Sequence, residues 1–311
     1  MRYALSLGLL GWLASQVEWR RFAGLGDLPW HALVVPALLA GLAYPLQAWR
    51  WQVLLHAAGA PLPTRWVHAA TWLGQFYSSF LPGGIAGDAV RLGYLWQAAP
   101  AQRAAGGIAL LVDRLVGLAA LFALGAAALA LHLGWEEGPA ELHRLLLAST
   151  LATLGVGAAG ALLISTRWWE PLAARLLGAP QAVALQQAAR ALGARPGSLA
   201  LATALGIAVW LADFAAIWWL ARSLELPAGP LTIAVAASAA YVASILPLSI
   251  GGHGVREGTF VLALGWLGLR SAEHPAVLLL AVGLWALSVV WSLGGGLCLL
   301  FPALLRLPDR K

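Results

Sequence analysis

The sequence predicts an all-α polytopic membrane protein of about six spanning helices plus two re-entrant helical hairpins. The layout is an inverted-topology repeat, or eight or more segments if the hairpins cross fully. Three observations predict it. Of 311 residues, 61% are hydrophobic and 10% charged, with mean hydropathy +0.79, whereas a soluble domain carries about 25% charged residues. The apolar stretches divide into long ones and others too short for the roughly 20 residues a span needs. Finally, one phrase occurs twice, each time between two short stretches: LPGGIAGDAVR at 81–91 and LPLSIGGHGVR at 246–256. Without a gap the copies share Leu81/Leu246, Pro82/Pro247, Ile85/Ile250, Gly87/Gly252, Val90/Val255 and Arg91/Arg256.

A first helix is expected over about 3–17, an apolar run after one arginine with no convincing small-x-small cleavage site. A polar connection from Glu18 to Pro29 follows, then a helix over 31–57 whose Trp49, Arg50 and Trp51 read as an interfacial anchor. Ala60-Pro61-Leu62-Pro63 is a stop. The short stretches 65–80 and 88–99 flank the first phrase and form one hairpin. A third helix over 106–132 carries Asp113-Arg114, and an acidic loop with Glu136, Glu137 and Glu141 leads to a fourth over 143–165. The basic stretch 166–197 reads as an amphipathic surface helix. A fifth helix over 198–222 holds Asp213; a second hairpin spans 231–268; a sixth helix covers 275–302.

The chain reads as one domain, 1–311, with pseudo-repeats of about 1–138 and 139–311. Three crossings per half make the second half sit upside down relative to the first. Arginine placement puts 58–105, 166–197 and both termini in the cytoplasm, with Arg20 and Arg21 dissenting. The net charge of +6 comes almost entirely from arginine, Lys311 being the sole lysine. That balance points to anionic lipid, and no nucleic acid partner is expected. Cys298 is the single cysteine, so no intrachain disulfide can form. Most tryptophans read as interface belts, and Gly294-Gly295-Gly296 as a place of close helix packing.

Proline ends a helix, and the glycines after it allow positive φ and close approach. Backbone opened in this way must be buried in protein or line a wet cavity. Where the chain re-enters a helix, unpaired N–H groups form an anion site. Arg91 and Arg256 fall in those first turns, and a guanidinium matches phosphate as a planar fork. The candidate substrate-binding residues are therefore Arg91, Arg256, Asp88, Glu257, Gly84, Gly87, Gly252, His253, Asp113, Arg114 and Asp213. Asp88 has an architectural alternative, capping its helix and pairing with Arg91. Arg256 and Glu257, as neighbours, are expected to need separate partners, Glu257 with Arg91 being one option. Asp113-Arg114 either reach the interface or enter the cavity. Asp213 has no basic residue within a turn, so it pairs across helices or carries a proton. The histidines show no metal spacing and no GxSxG or Walker A motif occurs, so no metal, cofactor or enzymatic activity is expected.

FLPGGIAGDAVR (80–91), VDRLVGL (112–118) and LPLSIGGHGVREG (246–258) resemble the flippase-like family named after the lysylphosphatidylglycerol synthase transmembrane region. The resemblance covers essentially the whole chain. It implies a polytopic protein of a bacterial or archaeal cell membrane that moves a polar or anionic lipid, aminoacylated or glycosylated, between leaflets. Ala86 and His253 stand where the family more often has glycine. The synthases add a C-terminal aminoacyltransferase domain; this chain ends at Lys311, so it is expected to move lipid and not to make it. The expected partners are a phospholipid or glycolipid substrate and the membrane, with a homodimer or a lipid-synthesising enzyme also compatible. The rival readings are a non-catalytic subunit docking such an enzyme, and a membrane-embedded headgroup transferase.

Overall fold

The described elements are all helices, which satisfy their interior backbone groups within themselves, as a chain surrounded by hydrocarbon must. The computed structural model describes Gly11 and residues 29–81, 86–135, 140–246 and 249–305, with the backbone alone at 135, 140–142 and 302. The helices are α1 (His31–Ala57), α2 (Thr64–Phe80), α3 (Ala86–Ala98), α4 (Arg103–Trp135), α5 (Ala140–Ser165), α6 (Glu170–Leu177), α7 (Ala179–Gly193), α8 (Pro196–Ser223), α9 (Pro230–Ile245), α10 (Val255–Trp266) and α11 (Ala276–Leu300). The chain is a multi-pass, all-α membrane protein. Among the described residues five helices, α1, α4, α5, α8 and α11, are long and apolar enough to cross a bilayer. The expected first helix, 3–17, lies outside the described residues, as do Arg20, Arg21, Glu136 and Glu137.

Residues 166–197, expected as one surface helix, form two. Of these, α6 leaves Leu172, Leu176 and Leu177 exposed, whereas α7 buries Ala182, Ala188, Ala189 and Leu192 in the core. The core has two parts. One gathers the end of α1 with the starts of α2, α4 and α8; the other gathers the end of α8 with α9, α10 and the start of α11. Arg195, just before α8, donates from Nη1 to the His56 carbonyl near the end of α1 at 2.7 Å. The two helices therefore run antiparallel, and theirs is the broadest contact in the molecule.

The hairpins are each held by a helix from the other end of the chain: α2 packs on α11, and α9 packs on α4. The first of these contacts explains the glycine triplet. A Cβ on Gly295 would strike the Trp72 carbonyl, one on Gly294 would meet the Trp72 ring and one on Gly296 the Phe76 ring. Without those methyl groups α2 and α11 approach backbone to side chain, as in small-residue membrane interfaces. The belt expectation requires exposed rings, which Trp30 and Trp49 have and Trp51 and Trp66 lack. Those two are fully buried, because the starts of α2 and α4 cover that end of α1.

Candidate functional site

Arg91 sits in the second turn of α3 and is 5% exposed. Its guanidinium carbon lies 4.0 Å from the centroid of the Trp51 ring, which covers one face of the fork. Nη1 reaches Asp88 Oδ1 at 3.4 Å and Asp113 Oδ2 at 3.6 Å. Asp113 (1% exposed) also accepts from Arg50 Nε at 2.7 Å, and Asp88 accepts from Arg114 Nε. Three guanidinium groups thus surround two carboxylates. A cavity of about 30 Å³ lies among them, lined also by Gln47, Gln75 and Ser78. Arg91 Nε and Nη2 are buried and make no hydrogen bond among the described residues.

Backbone geometry makes this packing feasible. A Cβ on Gly87 would overlap the Gly74 carbonyl and Ser78, so only glycine lets α3 lie this close to α2. Gly117 of α4 and Gly206 of α8 leave the space that the Arg50 guanidinium occupies. Arg50 is therefore not an interfacial anchor. It is 4% exposed and belongs to the charge cluster, because α4 and α8 close over the end of α1 where the sequence places an interface. Asp113 enters the cavity; Arg114 stays partly exposed while binding Asp88.

The second break is built around Arg256 and Glu257, 7% and 0% exposed. Gly251, Gly252 and Gly254 all have positive φ, at 57°, 77° and 83°, the region glycine enters without steric cost. The Gly254 N–H donates to Glu257 Oε2 at 2.7 Å, capping α10. Arg256 donates to Glu257 Oε1 from Nε at 2.8 Å and lies 2.6 Å from it through Nη2. The expectation of separate partners, and of a Glu257–Arg91 pair, is thus overturned. Neighbours diverge inside a helix, but here Glu257 folds back toward the helix start and comes within reach of the long arginine. Arg256 Nη2 also donates to Ser288 Oγ at 2.9 Å, and its guanidinium lies over the Tyr241 ring at 5.7 Å. Tyr241 donates to Asp213 Oδ2, which settles the partner of that carboxylate across helices.

The second break touches the end of α2, the helix that leads into the first break. His253 Nε2 lies 3.0 Å from the Ser79 carbonyl at the end of α2, and a Cβ on Gly251 would meet the carbonyls of Ser78 and Ser79. The structure brings Arg91, Asp88, Gly87, Asp113 and Arg114 together on one side of this junction, and Arg256, Glu257, Gly252, His253 and Asp213 on the other. Gly84 lies outside the described residues. The sequence analysis missed Arg50, Gln47 and Trp51, which share a face of α1 at helical spacing, and Tyr44, Tyr241 and Ser288. Tyr44 donates to the Ser288 carbonyl at 3.4 Å.

Residues 1–291 match the family described as the lysylphosphatidylglycerol synthase TM region. The chain belongs to that family. The matched stretch takes in both breaks and every charged group of the two clusters, so the site is made wholly from the lysylphosphatidylglycerol synthase TM region. Comparison with curated proteins and with solved structures gives no match.

Proposed function

We propose that this protein is a flippase-like transporter that moves a lipid with an anionic headgroup, aminoacylated or glycosylated, between the leaflets of a cell membrane. The observation that carries the reading is Arg91. It is buried, stacked on Trp51 and, among the described residues, surrounded by excess positive charge and left with two N–H-bearing nitrogens without a partner. A buried unsatisfied donor costs about 1–3 kcal/mol, more when charged, and a phosphate oxygen would relieve that cost as a charge-assisted hydrogen bond. Arg256, by contrast, is committed to Glu257 and Ser288; its part is to hold the second break in shape.

The cavity of about 30 Å³ accommodates no more than a water-sized group. A headgroup therefore enters only when the hairpins part, with its acyl chains left in the bilayer. The antiparallel α1 and α8, and the exchanged packing of each hairpin, suit an inverted repeat with broken segments meeting at a central site. In this reading the moving bodies are not the two halves of the sequence. One body is α2, α3 and α11, the other α9, α10 and α4, since parting the halves would separate both close helix contacts.

The test is reconstitution in liposomes containing labelled phosphatidylglycerol, an aminoacylated phosphatidylglycerol or a glycolipid. Transfer between leaflets is measured for the parent, Arg91→Ala and Arg91→Lys. The expectation is transfer of at least one lipid by the parent and its loss in Arg91→Ala. Normal transfer by Arg91→Ala would refute the site, and no transfer of any lipid would refute the function.

A further inference from the structure

The four carboxylates of the two clusters are not held alike. Asp88 is bound by Arg91 and Arg114, Asp113 by Arg50 and Arg91, and Glu257 by Arg256. Each would lose an ion pair on taking up a proton. Asp213, half-buried in the middle of α8, has one hydrogen-bond partner among the described residues, the hydroxyl of Tyr241. A tyrosine hydroxyl can still donate to Oδ2 when Oδ1 carries a proton, more weakly than to the ionised group, so this carboxylate changes charge without breaking its hydrogen bond.

The charges then couple the two ends of the site. Among the described residues the first cluster has three guanidinium groups and two carboxylates, a net +1. The second has Arg256 against Glu257 and Asp213, a net −1 while Asp213 is ionised and zero once it is protonated. The groups facing Asp213 are Tyr241 of α9, Tyr44 of α1 and Arg256 of α10, with Glu257 and His253 behind Arg256. From α11 comes Ser288, which is not titratable at working pH, and the charged groups of α4, Asp113 and Arg114, belong to the first cluster. Tyr44 and Arg50, one in each cluster, are six residues apart on α1, or about 9 Å along its axis. At that spacing along the helix a charge in one cluster is felt in the other.

We infer that Asp213, hydrogen-bonded to Tyr241 beside Arg256, is a proton-binding site that couples lipid movement to the proton gradient, proton and headgroup anion being carried together. The inference rests on the transport reading. Protonation of Asp213 removes the negative charge opposing the anion at Arg91, so each ligand strengthens the binding of the other, as linkage requires. Water supplies the proton, which goes to Oδ1, and no bond other than O–H is made or broken.

Two measurements test it, and they separate its failure from that of the transport reading. In nanodiscs, the infrared difference spectrum between mildly acidic and mildly alkaline pH should contain the carbonyl-stretch band of a protonated carboxyl. The band should vanish in Asp213→Asn, move in pH in Tyr241→Phe and persist in His253→Gln. Its absence from the parent, its survival in Asp213→Asn or its loss in His253→Gln would overturn the proton site, whether or not lipid moves. In liposomes under an imposed pH gradient, one proton per lipid makes the steady-state ratio of labelled anionic lipid between leaflets change about tenfold per pH unit. In Asp213→Asn the ratio should stay near one at every pH. A parent that moves lipid with a ratio indifferent to pH would overturn the coupling and leave the transport reading standing. A parent that moves no lipid would defeat the coupling together with the transport reading, leaving the infrared result to decide the proton site alone.

Discussion

The ion pair of Arg50 and Asp113 makes an unequal prediction about its two members. Asp113→Asn removes the one ionic partner of Arg50 among the described residues, held at 2.7 Å with both side chains under 6% exposed. A buried charge left alone in this way costs about 3–5 kcal/mol. Arg50→Met is milder, because Asp113 keeps Arg91 at 3.6 Å; the loss should be about 1–3 kcal/mol, the range for a buried polar group deprived of a partner. In the double variant Asp113→Asn with Arg50→Met both charges are gone, while Arg91 retains Asp88. The combined loss should therefore fall short of the sum of the single ones by about 1–3 kcal/mol. Thermal unfolding in detergent, followed by the fluorescence of the 17 tryptophans, supplies all the values. Additivity of the two single effects to within about 0.5 kcal/mol would mean that the pair does not interact and that Arg50 faces the interface after all.

Arg256→Ala should destabilise the protein more than Arg91→Ala, by about 3–5 kcal/mol, since it strands the fully buried Glu257; equal losses in the same unfolding assay would contradict the division of roles between the two arginines. Gly295→Ala should cost about 1–3 kcal/mol as an overpacked contact, because its methyl group meets a main-chain carbonyl that cannot turn aside, whereas Gly155→Ala on the open face of α5 should be silent. Arg91→Lys keeps a charge but loses the planar stack on Trp51 and the fork of donors; initial transfer rates in liposomes should drop about tenfold, equivalent to about 1.4 kcal/mol, and a rate equal to the parent's would argue against a bidentate contact.

Much of this architecture was legible because it rests on local signals. The two Pro/Gly breaks, the span lengths of α1, α8 and α11, and the packing role of the glycine triplet all follow from backbone chemistry within a few residues. Arg50 was misread because its setting is not local. Next to Trp49 and Trp51 it looks like an anchor, and only Gly117 and Gly206, on two other helices, show the space reserved for it. Trp51 and Trp66 failed for the same reason, since residues from other helices decide which tryptophans meet lipid. The Arg256–Glu257 pair was missed for a different one: the spacing rule for side chains assumes a helix interior, and Glu257 turns back at the first turn to cap Gly254. Asp213 could be recognised as a charge needing a partner across helices, but a tyrosine carries no signal in the sequence that it will supply the hydroxyl.

The exchanged packing of the hairpins has a consequence for how such a molecule is assembled. α2 is clasped by α11 and α9 by α4, so segments far apart in the chain are woven together. During synthesis α2 emerges with its Trp72 and Phe76 face uncovered, and the glycines that receive it arrive much later, with α11. This contact therefore closes only once α11 is in the bilayer. In each of these pairs, α2 with α11 and α9 with α4, one helix serves as scaffold for another far away in the chain.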